Sequence, residues 1–431
     1  MEYKNRIADQ LLRDKLEAMG AVLIEGPKAC GKTTTAEQQA KSIIYMDDPT
    51  KQQQYKQMAQ TNISFLLEGE TPRLIDEWQE VPQFWDAIRF EVDHRGKDGQ
   101  FMLTGSAVPA DTKDIHHTGT GRYGWLTMRP MSLWESQEST GEVSLKELFN
   151  NPDYDIDGKM SKMTVEELIF AASRGGWPAS LLARTPKAQL LVAKNYVQTI
   201  CSNDISSIDG KKRDARLTSM ILRAYARNVS TLVKKKSLLD DVTSSGEVSC
   251  HVDTFDDYVA ALEKLFVIQN ISAWCPAIRS KTAIRSGVKR CFCDPSIPIA
   301  LLGLSPEALS MQLKTFGFIF EQMCIRDLKA YTMDLNSHVS YYHDRYDLEA
   351  DIVLHLEDGR YALIECKLGS REIDDGAKHL LELKRLIQEH NTTEKQMPIR
   401  EPDLLIVMTG GSMAYTRQDG VKVIPLACLK D

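Results

Sequence analysis

Eight residues, Gly26-Pro27-Lys28-Ala29-Cys30-Gly31-Lys32-Thr33, carry the spacing Gly-x-x-x-x-Gly-Lys-Thr of a phosphate-binding loop, and Thr34 follows them. In that reading the loop backbone from Gly26 to Thr34 cradles a polyphosphate. Lys32 contacts its β- and γ-phosphates, and the Thr33 hydroxyl is a Mg²⁺ ligand. The cofactors implied are ATP and Mg²⁺. About 45 residues downstream, Leu74-Ile75 closes on Asp76-Glu77. Asp76 would hold Mg²⁺ through water, and Glu77 would polarise the attacking water. An acidic strand end alone is common; its place after a phosphate loop gives it meaning. Thr104 and Ser106 end a later apolar run and are candidates for a polar contact to the γ-phosphate, with an ordinary strand cap as the alternative. Arg122, in Gly119-Thr120-Gly121-Arg122-Tyr123, is a candidate arginine finger for a neighbouring subunit's nucleotide. A solvated loop arginine is the plain alternative.

A second constellation lies near the C-terminus. Asp351 and Glu365-x-Lys367 sit on two apolar runs separated by Glu357-Asp358-Gly359, a strong hairpin signal. Residues two apart on a strand share a face, so Glu365 and Lys367 point the same way, and Asp351 can meet them across the hairpin. Two carboxylates bind Mg²⁺, and an adjacent lysine helps deprotonate or position water for phosphodiester cleavage. Glu321, on the preceding amphipathic segment, is a further candidate metal ligand. The pattern is short, and abundant surface Lys and Glu can produce it by chance.

The elements that must position these groups are legible. Ala21-Val22-Leu23-Ile24 predicts a buried strand entering the loop, and Thr34–Lys41, free of Gly and Pro, predicts a helix leaving it. Further strands are predicted at 42–47, within 72–79 and within 100–107. Leu126–Thr127 predicts a last strand that passes through Pro130 into a helix. Residues 136–161 are polar and read as a mobile lid insertion or linker. Helices dominate from Pro186 to about Val242. Residues 215–271 then read as two or three helices followed by a β-hairpin, a winged-helix pattern. Within it, Lys234-Lys235-Lys236 could face DNA phosphates, although charge runs are usually solvated faces.

The 431 residues exceed one ordinary core, and 42% hydrophobic with 26% charged residues describes a globular chain. No stretch approaches the roughly 18 apolar residues of a membrane span. The nine scattered cysteines and the absence of an apolar leader predict a reduced, cytoplasmic setting. A net charge of −7 leaves nucleic-acid binding to local basic patches.

Taken together, these motifs resemble bacterial and archaeal AAA-type ATPases of the AAA-14 class with a C-terminal domain of restriction-nuclease-like fold. Besides the residues above, Pro130-Met131-Ser132-Leu133, Gly175-Gly176-Trp177-Pro178, Cys293-Asp294-Pro295 and Gly317–Glu321 carry the resemblance. It implies an α/β fold with four parts: an AAA-type P-loop core over 1–140, a linker and helical lid over 141–214, a winged-helix-like domain over 215–300, and a nuclease-like α/β domain over 301–431. It also implies that Thr104 or Ser106 acts as the γ-phosphate sensor. Three functions compete: an ATPase that engages and cuts DNA, an ATP-switched binding protein with a silent nuclease-like scaffold, and a signalling or chaperone-like ATPase acting on a protein partner. Homo-oligomers fit all three, because such sites are often completed by a neighbouring copy.

Overall fold

The computed structural model describes residues 3–105, 119–244, 246, 248–275, 287–393 and 398–431. The chain divides into two compact units: Met1–Pro130 with Thr199–Ala215 and Asp257–Val267, and Met131–Gln198 with Arg216–Asp256 and Ile268–Asp431.

The first unit is built on five strands, β1 (Ala21–Glu25), β2 (Ser42–Tyr45), β3 (Arg73–Asp76), β4 (Phe101–Thr104) and β5 (Tyr123–Thr127). They pair in the order β2-β3-β4-β1-β5, all parallel. Continuous apolar runs such as Ala21–Ile24 and Phe101–Leu103 suit strands covered on both faces, and all seven residues are buried. On one face Leu23, Ile75 and Leu103 pack with Phe84, Trp85 and Ile88 of the helix Phe84–Arg95. Parallel strands bring all their C-terminal ends to one edge. The loop after β1, the acids ending β3 and Thr104 ending β4 therefore meet there by topology alone.

After Pro130 the predicted helix does not form, and residues 133–137 make turns. Local side chains take over the backbone: Glu135 accepts from Ser132 N, and Ser136 Oγ donates to the Ser132 and Leu133 carbonyls. Nor is 136–161 a free insertion. β6 (Val143–Ser144) pairs in parallel with the last strand, β15 (Leu429–Lys430). Ser139 and Ser144 donate to the carbonyls of Leu429 and Asp431 at 2.6 and 2.8 Å. The polarity that resembled solvation instead satisfies backbone acceptors.

Further along, the helices Ala215–Arg227, Lys235–Thr243 and Val252–Lys264 are followed by the antiparallel pair β7 (Ile271–Ser272) and β8 (Val288–Lys289). The helices lie where 215–271 predicted them, but Phe266–Ile271 forms no hairpin of its own: Ile271 pairs with Lys289. Nor do these elements form one compact body, since the division between units falls between Asp256 and Asp257.

The second unit also holds a six-stranded sheet, β9 (His338–His343), β10 (Glu349–His355), β11 (Tyr361–Lys367), β12 (Leu404–Thr409), β13 (Tyr415–Thr416) and β14 (Lys422–Pro425), in the order β13-β14-β12-β11-β10-β9. β9, β10 and β11 are antiparallel neighbours, whereas β12 runs parallel to β11. A parallel neighbour needs a crossover, and the helix Ile373–Thr393 supplies it. With the helix Leu313–Tyr331 in front, the order is helix, three strands, helix, strand. Among the described residues no helix is long and apolar enough to cross a membrane.

Candidate functional site

The loop leaving β1 turns sharply. Gly26 has φ 142°, and a Cβ there would lie 2.3 Å from the Met128 carbonyl oxygen, so only glycine fits. Gly31, with φ 103°, stands at the N-cap of the helix Lys32–Glu37, and no side chain caps that end. Its first amides are thus left for an outside acceptor. Lys32 is buried and curls back, donating to the carbonyls of Gly26 at 3.0 Å and Pro27 at 2.9 Å. Of the remaining loop residues, Pro27 and Cys30 are buried while Ala29 and Thr34 are exposed. The Lys28 ammonium reaches the Asp204 carboxylate at 2.7 Å.

A residue with no motif braces the loop from behind. Arg6 is buried, and its guanidinium donates to the Cys30 carbonyl at 2.9 Å and the Arg129 carbonyl at 2.6 Å. Asp9 accepts from the Arg6 backbone at 2.7 Å and from the Tyr3 hydroxyl at 2.6 Å. Tyr3 in turn lies 3.0 Å from Thr35 Oγ1.

Facing the loop is Asp76. Its Oδ1 accepts from Thr33 Oγ1 at 2.7 Å and also from Thr104 Oγ1. The register makes this possible, because Thr104 pairs with Ile24 on one side and Asp76 on the other. Burial raises the Asp76 carboxyl above the usual carboxylate range, and the Thr104 and Thr33 hydroxyls pull it back. Glu77 has φ 52°, a left-handed conformation that costs a non-glycine residue on the order of 1 kcal/mol or more and collects at functional sites. Gln79 Nε2 donates to its carboxylate. Burial raises the Glu77 carboxyl too; Gln79 opposes the shift and Asp76 adds to it. The donors suit a polyphosphate (Lys32, Thr33 and the amides opening the helix), and the oxygens of Thr33 and Asp76 suit a hard divalent cation.

Two predicted residues stand apart. Ser106 lies outside the described residues. Arg122 precedes β5, and its carbonyl accepts from Ala21 N at the start of β1. It therefore lies at the opposite edge of the sheet from the loop, a strand length of roughly 16 Å away. Its Nε donates to Asp93 at 2.8 Å. At that end of the sheet Arg122 does not reach the loop of its own chain. The glycines around Arg122 could not reveal which sheet edge it occupies.

In the second unit, Asp351, Glu365 and Lys367 come together on β10 and β11. Lys367 Nζ is 2.7 Å from Glu365 Oε2, His379 Nδ1 is 3.5 Å from Glu365 Oε1, and Asp351 Oδ2 accepts from Cys366 N at 2.8 Å. Glu365 is fully buried, which pushes its carboxyl up to about 8; Asp351 adds to the shift and Lys367 opposes it. The unforeseen member is Lys289 of β8. Its buried ammonium lies 2.5 Å from Glu321 Oε1 and 3.7 Å from Asp351 Oδ1, and it donates to the Asp351 carbonyl at 2.9 Å. Burial works against that charge, but Glu321 and Asp351 outweigh it and hold the ammonium protonated. Burial likewise pushes the Glu321 carboxyl up to about 8 against the pull of Lys289.

The predicted metal set of Glu321, Asp351 and Glu365 is thus corrected. Among the described residues no three His, Cys, Asp or Glu side chains group as metal ligands. Three carboxylates face two ammonium groups, and one of these stands where a cation would bridge Glu321 and Asp351. Lys367 is also held charged by Glu365 and Asp351 against its burial, which unfits it as a proton acceptor. Lys289, Arg6 and Asp204 gave no local sequence signal, because each finds its partners only through the fold.

Residues 19–137 match the AAA domain family. Residues 165–308 and 316–429 match two domains of unknown function, DUF8612 and DUF4143. Uncharacterised proteins of Mycobacterium bovis and Mycobacterium tuberculosis are each 23% identical over 375 residues, 84% of this chain and 73% of the relative. Among solved structures, the Walker-type ATPase of Pyrococcus abyssi aligns with a TM-score of 0.42 and 12% identity, over 70% of this chain and 96% of that one. The AAA match contains the loop, Asp76, Glu77 and Thr104, so the part of the chain similar to an AAA domain is the part that carries this site.

Proposed function

We propose that the chain binds and hydrolyses ATP with Mg²⁺ at the edge formed by the Gly26–Thr34 loop, Asp76 and Thr104. The observation that carries this reading is the Asp76 carboxylate, held by Thr33 of the loop and Thr104 of the next strand. Lys32 would leave its own loop carbonyls for phosphate oxygens. Thr33 and Asp76 would hold Mg²⁺, which neutralises phosphate charge when bound. Glu77, oriented by Gln79, would align water and accept its proton. A Lys32→Ala variant should lose nucleotide binding, and Glu77→Gln should bind without turnover. Normal turnover in either would remove the assignment.

For the C-terminal domain, the order helix, three strands, helix, strand supports a restriction-nuclease-like fold, and Lys289 favours a scaffold that does not cut. A divalent cation between Glu321 and Asp351 would have to displace a buried, paired ammonium. Labelled linear and branched DNA in Mg²⁺ or Mn²⁺, with and without ATP, tests this. Cleavage lost in Lys367→Ala would overturn the silent-scaffold reading.

The helical middle favours a protein partner over DNA. In a winged helix the third helix enters the major groove. Here that helix, Val252–Lys264, carries Asp253, Asp256, Asp257 and Glu263, and Asp256 takes up Lys235 at 2.8 Å. These acids would repel phosphates; all three lysines of the run are exposed, but Lys235 is engaged by Asp256. DNA-stimulated ATP turnover would restore the DNA reading.

A further inference from the structure

Lys28 has no part in the chemistry above, yet it makes a long-range ion pair within the first unit. Its Nζ lies 2.7 Å from Asp204 Oδ1, a partner 176 residues away in the chain. The Asp204 side chain keeps only 10% of its surface exposed, against 41% for Lys28.

The backbone that delivers Asp204 is unusual. The helix Pro186–Thr199 widens into a π-helical turn, Ile200–Asp204, before the short helix Ile205–Ser207. Such turns are rare, strained relative to an α-helix, and frequent at functional sites. Ile200, Cys201 and Ile205 are buried, anchoring the turn while its last residue meets the loop. Beyond it the segment is clamped again. Arg213 donates to Asp209 through both terminal nitrogens at 2.7 Å, to Asp257 through Nε at 3.0 Å and to the Ile205 carbonyl at 2.8 Å. Residues 199–215 are thus fixed at two points, and one of them is a cation on the phosphate loop.

We propose that Asp204 is a positioning residue that competes with bound polyphosphate for Lys28, so that nucleotide binding and the anchoring of residues 200–209 oppose each other. The inference rests on the nucleotide reading of the loop. A carboxylate beside a phosphate cradle repels the incoming charge, and Lys28 cannot fully serve both anions. Once Lys28 turns to phosphate, Asp204 is left mostly buried without its counter-charge, an arrangement costly enough to shift the turn that carries it. Coupling of this kind is reciprocal: if bound polyphosphate loosens the turn, then a turn already released from Lys28 binds polyphosphate more tightly, provided the Lys28 ammonium is still present. A triphosphate brings more charge than a diphosphate and should feel Asp204 more strongly.

The test pairs equilibrium binding of ADP and a non-hydrolysable ATP analogue, in Mg²⁺, with hydrogen exchange of peptides from 200–209. In the wild-type full chain the analogue should raise exchange there. Asp204→Asn should exchange fast without nucleotide and bind the analogue about five-fold tighter or more, with a smaller gain for ADP. Lys28→Gln should exchange equally fast but bind more weakly. The charge-reversed pair Lys28→Asp with Asp204→Lys should restore slow exchange and abolish the response to the analogue. If the wild type binds, Lys32→Ala does not, and affinity is indifferent to Asp204→Asn, then the pair is at most a structural anchor, one that exchange alone would register, and the proposal falls alone. No binding by the wild type would overturn both readings.

Discussion

Thr33 donates its hydroxyl to Asp76 Oδ1 at 2.7 Å across 43 residues of chain, joining the phosphate loop to the strand that carries the acids. The same oxygen accepts from Thr104, so one carboxylate ties three sheet ends together. Asp76→Asn keeps the shape but removes the charge for which a Mg²⁺-bound nucleotide would be selected. Turnover should fall by at least about a hundredfold, in the range of a lost electrostatic contact to a transferring phosphoryl group. Nucleotide affinity in EDTA should change far less. Steady-state turnover and binding with and without Mg²⁺ check this.

Gln79 holds the Glu77 carboxylate, and Glu77 sits in a left-handed conformation that fixes its direction. Gln79→Leu should leave nucleotide affinity near the wild-type value while lowering turnover about tenfold or more, because a free carboxylate is less often aligned with water. An unchanged turnover rate would remove Gln79 from the site.

Arg6→Met takes donors away from the Cys30 and Arg129 carbonyls while keeping much of the side-chain volume. Charge-assisted hydrogen bonds to buried acceptors suggest a loss of about 2–3 kcal/mol in denaturant unfolding of the first unit. Nucleotide should recover part of it by binding the folded loop.

Lys289→Ala leaves Glu321 and Asp351 without their ammonium. Breaking one partner of a buried pair costs about 3–5 kcal/mol, so the variant should melt early. Mn²⁺ should raise the melting temperature of this variant and leave that of the wild type unchanged, if Lys289 stands in for a cation. Equal effects on both would argue that the carboxylates bind metal despite Lys289.

Glu365 is pushed up to about 8 by burial, well above an exposed glutamate. The folded state therefore keeps a proton that the unfolded chain releases near pH 4.5. Its contribution is fully present below that pH and is lost as pH rises through about 8. Urea midpoints should fall between pH 5 and 8.5, and Glu365→Gln should flatten the decline. A midpoint that rises over this window would contradict the shift.

Much of this was legible in the chain because strand ends in a parallel sheet share an edge. An apolar run closing on Asp76-Glu77 or on Thr104 announces both the strand and the place of its last residues. The Asp-Gly turn did the same for Asp351 opposite Glu365 and Lys367. What escaped shares a physical cause. Arg6, Asp204 and Lys289 are ordinary charged residues whose partners lie far off in sequence, and no local pattern marks a buried ion pair. Residues 136–161 misled for a related reason, since serines that satisfy carbonyls look the same in sequence as serines facing water. The acidic face of Val252–Lys264 was visible in its aspartates, yet the neighbouring lysine run drew the reading towards DNA.

The three separate chain segments of the first unit set a schedule for synthesis. At ribosomal rates of about 5–20 residues per second, Val267 emerges roughly 7 to 27 seconds after Pro130. The five strands and the phosphate loop are then already made, while Asp204, Arg213 and Asp257 are still missing. During that interval Lys28 has no Asp204 to hold it, and the loop is braced only from within residues 1–130, by Arg6 behind it and by the Thr33–Asp76 hydrogen bond. A fragment cut at Pro130 would remain permanently at that stage.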